Sequence, residues 1–188
     1  MNLMQLFDTI KIMKICFVRH GQTQYNKEGR CTGHIDDLLT AEGIKEAERA
    51  LKDLSNDFNI IYSSDLIRCK QTAEILNRNF KMPIVYDTRL RERNFGSLVG
   101  EYWAKWNSVL LEKDKNQQYD YRPFGGESVE DVKKRLFSFV LEIQKKHKND
   151  KVLISTHGGI IRLLLNNVKN EVRGHIDNNS IHEFEFPD

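Results

Sequence analysis

Two short apolar runs in this sequence each end in the dipeptide His-Gly. Residues 15–18 (ICFV) lead into residues 19–21 (RHG), and residues 152–154 (VLI) lead into residues 155–158 (STHG). An apolar run that is bounded by a glycine-centred break is typical of a buried strand ending in a tight turn. In an open α/β sheet, ligands bind beyond the carboxyl ends of the parallel strands. We therefore expect the two histidines to face each other across one cleft.

Candidate helices alternate with further candidate strands along the chain. The expected strands cover residues 60–62, 83–86 and 180–186, and the expected helices begin at Thr40, at Asp65, at the capping box of Ser128 with Asp131, and at Ile160. This alternation predicts an α/β fold, a three-layer sandwich with a mostly parallel central sheet and helices on both faces. A chain of 188 residues has room for one such domain.

The domain boundaries follow from the first strand and from one segment of distinct composition. Residues 1–13 lack the basic start and the small-residue cleavage site of a secretory signal, so we do not expect a signal peptide. Because they precede the first strand, we expect them to be an N-terminal extension that is weakly ordered or peripheral. Residues 14–188 then form a single domain. Within it, residues 101–126 are rich in aromatic and basic side chains. We expect this segment to be a cap insertion folded over one end of the sheet.

Composition indicates the cellular compartment and excludes some classes of partner. The net charge of +2 is too small to indicate a nucleic-acid partner. Cys16, Cys31 and Cys69 are odd in number and form no C-x-x-C motif, which favours a reducing cytoplasm. No apolar stretch is long enough to span a membrane. We therefore expect a cytoplasmic protein that binds neither nucleic acid nor a membrane. The sequence leaves its oligomeric state open.

The side chains after the first strand suit an anionic substrate. Arg19 offers a fixed fork of donors for phosphate or carboxylate oxygens, and a neutral His20 can act as base or nucleophile. Gly21 has no Cβ, so we expect it to let the backbone approach a ligand. These three residues alone leave open a surface arginine beside a packed histidine.

A third strand end adds to the same edge of the expected sheet. The run at residues 60–62 ends at Ser63 and Ser64, and Arg68 follows in the first turn of the next helix. Helices that begin after strand ends point their free N–H groups towards this edge and favour an anion there. An oxyanion site that contains a nucleophile is the hypothesis that follows.

An ordered set of short motifs resembles the histidine phosphatase superfamily, which includes the cofactor-dependent phosphoglycerate mutases. The matching pieces are Arg19-His20-Gly21-Gln22-Thr23 with Asn26, Ser63-Ser64-Asp65-Leu66-x-Arg68 with Gln71-Thr72-Ala73, Leu90-Arg91-Glu92 with Phe95-Gly96 and Gly100, Gly125-Gly126-Glu127-Ser128, and Thr156-His157-Gly158-Gly159. They run in family order from residue 14 to the last strand. The resemblance implies a phosphoglycerate mutase-like fold.

The resemblance also implies a role for each matching residue. His20 matches the nucleophile that forms a phosphohistidine, and Glu92 matches the proton donor to the leaving oxygen. Residues expected to hold or line the phosphate pocket are Arg19, Gln22, Asn26, Arg68, His157 and Gly158. Phosphoryl transfer depends mainly on positioning and on charge stabilisation, which guanidinium and imidazole groups supply without a metal. We therefore expect neither a metal nor a cofactor.

Several assignments have competitors within the sequence. Glu101 and Glu127 are acids that could take the role of Glu92. His34 with Asp36, and His175 with Asp177, have a spacing found among metal ligands, but no further ligand lies near them in the sequence. Cys69 beside Arg68 could indicate redox chemistry, although helix packing is the simpler interpretation.

The sequence favours a phosphatase over two alternatives. A mutase must exclude water while its intermediate turns, and relatives with that activity generally carry a longer insertion than residues 101–126. We therefore expect a metal-independent phosphatase of small phosphomonoesters. A phosphoglycerate mutase and a non-catalytic phosphate-binding module are the alternatives. A cysteine phosphatase loop is absent, because none of the three cysteines is followed six residues later by an arginine. A P-loop motif is absent as well.

Overall fold

A five-stranded sheet forms the centre of the protein. The computed structural model describes residues 12–55 and 57–187. The strands are β1 (Ile12–Arg19), β2 (Ile60–Ser63), β3 (Ile84–Tyr86), β4 (Val152–Thr156) and β5 (Ile181–Pro187). Their order across the sheet is β3-β2-β4-β1-β5, and only the β1–β5 pair is antiparallel among these described strands.

Six α-helices accompany the sheet in the described part of the chain. They are α1 (Gln24–Glu28), α2 (Ala41–Asp53), α3 (Ile67–Leu76), α4 (Ser108–Lys115), α5 (Val129–Lys146) and α6 (Gly158–Lys169). Single 3₁₀ turns lie at Thr88–Leu90, Gly96–Leu98, Trp103–Lys105 and Arg122–Phe124. None of the helices in this part of the chain combines the length and the apolarity that crossing a membrane requires.

The sheet has an apolar core on each face, because successive side chains of a strand point to opposite sides. Ile15 and Phe17 of β1 are buried in the core that α5 and α6 cover. Val18 is buried in the opposite core, which includes residues of α2 and α3. The α/β fold with a mostly parallel sheet and helices on both faces, predicted from the sequence, is thus confirmed.

Strand register brings three chain segments to one edge of the sheet. Arg19 at the end of β1 pairs with Thr156 at the end of β4, and Ser63 at the end of β2 pairs with Ser155. One residue later, the His20 amide donates to the Thr156 carbonyl over 2.9 Å. The residues that follow β1, β2 and β4 are therefore neighbours, as expected of a parallel arrangement.

Two element boundaries differ from the sequence expectation. Strand β1 begins at Ile12, and Met13 is buried, so the expected boundary between an extension and the domain lies inside the first strand. The remainder of the expected extension, residues 1–11, lies outside the described residues. Helix α3 begins at Ile67 rather than at Asp65, because the Asp65 carboxylate pairs with Arg91 and Leu66 has an extended backbone.

The loop expected at residues 22–39 contains a short helix. Helix α1 forms because Thr23 and Asn26 make a reciprocal capping box at its start. Gly29, in the left-handed backbone region at a φ of 69°, ends the helix.

The aromatic segment at residues 101–126 packs against the main core. Helix α4 begins after Asn107, whose side chain accepts a hydrogen bond from the Leu110 amide. Trp106, Tyr119 and Tyr121 are buried. This packing fixes α4 beside the edge where β1, β2 and β4 end.

Candidate active site

One cavity of about 510 Å³ opens at the carboxyl edge of the sheet. Arg19, His20, Arg68 and Glu92 contribute to its inner wall. The aromatic segment contributes to the same wall through Trp103, Leu111, Asp114 and Lys115. Four expected site residues thus share one cavity with the segment expected to cover it.

His20 lies at the wall of the cavity with one defined ring tautomer. Its Nδ1 is 2.8 Å from the Gly21 carbonyl oxygen, so Nδ1 carries the proton and donates it. Its Nε2 accepts a hydrogen bond from Arg68 Nε over 3.2 Å. Burial lowers the pKa of His20 well below its ordinary value, and the nearby charges of Arg68 and Arg19 lower it further. The imidazole is therefore neutral near pH 7, with its lone pair on Nε2.

His157 lies beside His20 but deeper in the protein. The two ring centroids are 5.2 Å apart. His157 is fully buried, and its Nε2 is 2.8 Å from the Ser64 hydroxyl oxygen. Burial lowers its pKa well below the ordinary value, and the Arg68 charge adds to this. His157 is absent from the described residues of the cavity wall, so its expected part in holding the phosphate stays a prediction.

Arg68 is a buried cation held by carbonyl groups of the loop after α1. Its Nη1 donates to Ile35 O over 2.8 Å, and its Nη2 donates to Gly33 O over 2.7 Å. These bonds fix the plane of the guanidinium, with Nε aimed at His20. Burial lowers the pKa of Arg68 from its ordinary value, yet arginine keeps its charge at neutral pH.

Arg19 presents an unused donor next to the start of α6. Its Nη1 donates to the Ile176 carbonyl, whereas its buried Nε has no hydrogen-bond partner among the described residues. Burial lowers the pKa of Arg19 to about 10. A Cβ added at Gly158 would lie 3.3 Å from this Nε. An anion oxygen placed between Arg19 and the first turn of α6 would satisfy this donor.

Glu92 reaches the same spot from the loop that follows the turn at residues 88–90. Its Oε2 accepts from the Gly159 amide over 3.0 Å, and its Oε1 accepts from the Arg93 amide over 2.9 Å. A Cβ at Gly159 would lie 2.1 Å from Glu92 Oε1, so a larger residue there would push this carboxylate aside. The side chain is thereby held at the N-terminus of α6, with Glu92 in the cavity wall.

The two competing acids lie elsewhere. Glu127 is 2.8 Å from Arg135 Nε, and its other oxygen accepts from the Asn94 amide over 2.7 Å. Glu101 is exposed. Neither contributes to the cavity wall, whereas Glu92 does.

Two expectations about the first motif need correction. Gln22 does not line the cavity formed by the described residues; its side-chain oxygen accepts from the Thr40 hydroxyl over 3.1 Å at the start of α2. The small size of Gly21 accommodates α2 rather than a ligand, because a Cβ there would lie 2.6 Å from the Gly43 carbonyl oxygen. Both residues fasten the segment after β1 to the start of α2.

Asn26 lines the cavity together with Asn178, which the sequence analysis did not single out. The Asn178 amide nitrogen donates to His20 O over 2.9 Å and to Asn26 Oδ1 over 3.2 Å. Asn178 precedes β5, which pairs with β1. The available sequence signal was the polar dipeptide Asn178-Asn179 just before the last strand. The antiparallel alignment of β5 with β1, which brings Asn178 to this edge, was not predicted.

A buried ionic cluster forms part of the cavity wall. Asp114 of α4 lies 3.0 Å from Arg93 Nη1 and 2.8 Å from Arg162 Nη1. Burial raises the pKa of Asp114, but the two guanidinium groups outweigh this and leave its pKa below the ordinary value. Arg162 could have been noticed as a charge within an apolar helix. Its pairing with Asp114 depends on tertiary structure.

Neither of the two His/Asp pairs with metal-ligand spacing forms a metal site among the described residues. His34 Nε2 is 2.5 Å from Glu92 O, and Asp36 accepts from the Ile67 amide over 2.9 Å. His175 and Asp177 are exposed side chains 3.5 Å apart. Within residues 12–55 and 57–187, no group of three or more possible ligands could hold a metal ion.

Cys69 is buried beside His157, with its Sγ 3.4 Å from Nε2. Burial raises the pKa of this thiol to about 12, so it stays protonated. This agrees with a packing role.

Comparison with known proteins supports the identification made from the motifs. The model of the histidine phosphatase superfamily (branch 1) matches residues 15–188. A phosphoglycerate mutase-like protein 4 of Arabidopsis thaliana is 32% identical over 88% of this chain and 75% of its own length. A metal-independent phosphoserine phosphatase of the same plant is 35% identical over 82% of this chain and 68% of its own length.

A solved structure has the same fold. A mycobacterial glucosyl-3-phosphoglycerate phosphatase in complex with VO3 superposes with a TM-score of 0.82 at 28% identity, over 93% of this chain and 96% of that chain. The family match and the phosphatases among these proteins make the chain an enzyme, a hydrolase of the phosphatase type. Because the family model matches nearly the whole chain, the chain belongs to the histidine phosphatase superfamily, branch 1.

Proposed function

We propose that the chain is a metal-independent phosphatase that hydrolyses small phosphomonoesters through a phosphohistidine on His20. The observation that carries this proposal is the state of His20 itself. Its ring is neutral, its Nδ1 is bound to Gly21 O, and its Nε2 lone pair lies beside the Arg68 guanidinium. A neutral imidazole next to anchored cations is what a nucleophile for a phosphate anion requires.

In the first step, Arg19 and Arg68 bind the phosphate oxygens and His20 Nε2 attacks phosphorus. The N–P bond forms as the bond from phosphorus to the ester oxygen breaks. Glu92 gives its proton to that departing oxygen, which leaves as an alcohol. The two guanidinium groups offset the charge on the equatorial oxygens.

In the second step, a water molecule attacks the phosphohistidine. Glu92, now a carboxylate, accepts the proton of this water, and the N–P bond breaks to release phosphate. The same side chain thus serves as acid and then as base. Its place beside both Gly159 and the cavity suits it for both roles.

A phosphoglycerate mutase is the second candidate. It is supported by a relative named as mutase-like. A mutase has to exclude water from the phosphohistidine. The segment at residues 101–126 is modest, and Leu111 and Lys115 in the cavity wall are exposed, which supports hydrolysis instead.

Two assays separate these candidates. The pure protein is incubated with p-nitrophenyl phosphate in the presence of a chelator, and then with 3-phosphoglycerate and a bisphosphoglycerate primer. We expect phosphate release in the first assay and little isomerisation in the second. Brisk isomerisation without phosphate release would instead identify a mutase, and inertness in both assays would favour a non-catalytic phosphate-binding module.

The natural substrate belongs to the small phosphorylated metabolites in this proposal. Relatives are named for phosphoserine and for glucosyl-3-phosphoglycerate. Arg30, Lys115 and Trp103 in the cavity wall support an anionic or sugar-like leaving group. A panel of metabolite phosphates tests this by comparing kcat/KM values. A cytoplasmic location is part of the same proposal, supported by three free cysteines.

A further inference from the structure

The side chain of Arg135 makes an unusual number of contacts with the loop that carries Glu92. Its Nη1 donates to Arg89 O over 2.7 Å and to Arg91 O over 2.8 Å, and its Nη2 donates to Glu92 O over 3.1 Å. Its Nε and Nη2 also donate to the two carboxylate oxygens of Glu127, over 2.8 and 3.1 Å. A guanidinium has five N–H donors. Arg135 therefore has an acceptor for each of them.

Glu127 binds the main chain on the other side of Glu92. Its Oε2 accepts from the Asn94 amide over 2.7 Å, and its own amide donates to the Asn94 carbonyl over 2.9 Å. The Arg135–Glu127 ion pair thus holds the main chain both before and after the catalytic acid. The pair is partly buried, with side chains 17% and 21% exposed.

The loop needs such support because it has little regular structure of its own. Only one 3₁₀ turn precedes Glu92, and residues 91–95 belong to no helix or strand. The Glu92 carbonyl accepts from Arg135 Nη2 and from His34 Nε2. Its carboxylate meanwhile accepts from the amides of Arg93 and Gly159. The direction of the carboxylate therefore depends on where the main chain is fixed.

Neither Arg135 nor Glu127 lines the cavity, so neither contacts a substrate bound there. We propose that Arg135, paired with Glu127, is a positioning residue that aligns Glu92 for proton transfer to the leaving group. This inference rests on the proposed phosphatase mechanism. It goes beyond it by assigning a catalytic consequence to residues outside the site.

A comparison of two leaving groups tests the proposal. An alkyl phosphate such as glycerol phosphate needs its leaving oxygen protonated, whereas p-nitrophenyl phosphate departs as a stable anion with little need of an acid. The parameter kcat/KM covers the steps up to formation of the phosphohistidine, which are those that use Glu92 as acid. A misplaced Glu92 therefore lowers kcat/KM for the alkyl ester alone.

The informative variant is Arg135→Lys, which keeps the charge and can still pair with Glu127. A lysine cannot reproduce the planar fork that reaches the Arg89, Arg91 and Glu92 carbonyls. Because small displacements of a catalytic group are costly, we expect kcat/KM to fall about 10- to 100-fold for glycerol phosphate. For p-nitrophenyl phosphate we expect a change of less than about threefold. Inhibition by inorganic phosphate should be unchanged.

The matched control is Arg122→Lys, since Arg122 is exposed and pairs with Asp120 at 2.7 Å. This variant should behave as wild type with both substrates. Glu127→Gln gives the second test if Arg135→Lys does not fold. Its amide keeps an oxygen but turns an NH₂ group towards either Arg135 or Asn94, so the same selective loss is expected.

Three results have different consequences. An equal loss with both substrates, or no loss with either, would overturn the positioning role of Arg135. A selective loss for glycerol phosphate at an unchanged phosphate inhibition constant supports it. If the wild-type protein releases no phosphate from either ester, the proposed function fails, and this inference fails with it.

Discussion

Arg68 donates its Nε–H to His20 Nε2 over 3.2 Å, so a buried cation is hydrogen-bonded to the lone pair of the proposed nucleophile. The bond from His20 Nδ1 to Gly21 O leaves Nε2 as the acceptor. A phosphate oxygen that enters the site would take over this N–H and leave Nε2 free to attack. The His20 ring is therefore already oriented for transfer and needs little reorganisation.

The variant His20→Asn tests the nucleophile. The amide retains hydrogen-bonding groups but cannot form the N–P bond, so turnover should fall by roughly 10⁴-fold or more. Rapid acid-free quenching with ³²P-labelled substrate should trap a phosphoenzyme in the wild type and none in the variant. Activity within about tenfold of wild type would remove His20 from this role.

The variant Glu92→Gln tests the acid. The amide keeps the shape of the side chain but has no proton to give to the leaving oxygen. We expect kcat/KM for glycerol phosphate to fall by about 10² to 10⁴-fold, with a much smaller effect on p-nitrophenyl phosphate. Inhibition by inorganic phosphate should persist. A variant that lost phosphate affinity and kept its rate would show that Glu92 binds rather than protonates.

The local patterns of the sequence were sufficient for the fold and for the inner part of the site. Strand runs with their breaks have a clear periodicity, and parallel pairing then brings His20 and His157 to one edge without further information. The capping boxes at the starts of α1 and α5 are equally local. That of α1 was missed because the polar composition of its surroundings suggested a loop.

The outer wall of the site could not be predicted in the same way. Arg93, Asp114 and Arg162 are far apart in the sequence, and no local pattern indicates that they pair. Their ion pairs exist only because the aromatic segment packs α4 against α6. Gln22 was misplaced for a related reason, since family position was used where the geometry of α2 decides.

Protonation of the two buried histidines should destabilise the folded protein in acid. Burial keeps His20 and His157 neutral in the folded state, with their pKa values well below the ordinary one, whereas both titrate normally when unfolded. The unfolded state thus binds more protons below about pH 6.5, and stability falls as the pH falls. From pH 6.5 to 5.5 we expect a loss of about 1 kcal/mol for each histidine.

Urea unfolding at several pH values measures this loss. The variant His20→Asn should show a shallower decline between pH 6.5 and 5.5 than the wild type. An identical pH dependence in the two proteins would contradict a neutral, buried His20.

A methyl group at Gly159 should displace the acid. The added Cβ would lie 2.1 Å from Glu92 Oε1 and 2.9 Å from Arg93 Nε, both closer than contact distance. We expect Gly159→Ala to reduce kcat/KM for glycerol phosphate by about 10- to 100-fold and to spare p-nitrophenyl phosphate. Steady-state kinetics with the two esters checks this. Equal losses would indicate that the phosphate site itself is disturbed.

We expect the attachment of the aromatic segment to the rest of the protein to depend on Asp114. It is 6% exposed and lies between Arg93 and Arg162, and it also accepts a hydrogen bond from the Tyr121 hydroxyl. The variant Asp114→Asn would leave the buried Arg162 without its counter-ion, and would leave Arg93 with only the Glu92 carboxylate, 3.8 Å away. Breaking a buried ion pair in this way costs about 3–5 kcal/mol, which lowers the unfolding midpoint of a chain of this size by roughly 10 °C.

Asp120→Asn is the control for this prediction, because Asp120 pairs with Arg122 at the exposed surface of the same segment. An exposed pair contributes little, so its midpoint should stay close to that of the wild type. Thermal unfolding followed by circular dichroism distinguishes the two variants. If Asp114→Asn unfolds at the same temperature as Asp120→Asn, the buried cluster does not hold α4 in place, and this part of the cavity wall must be stabilised by its aromatic contacts instead.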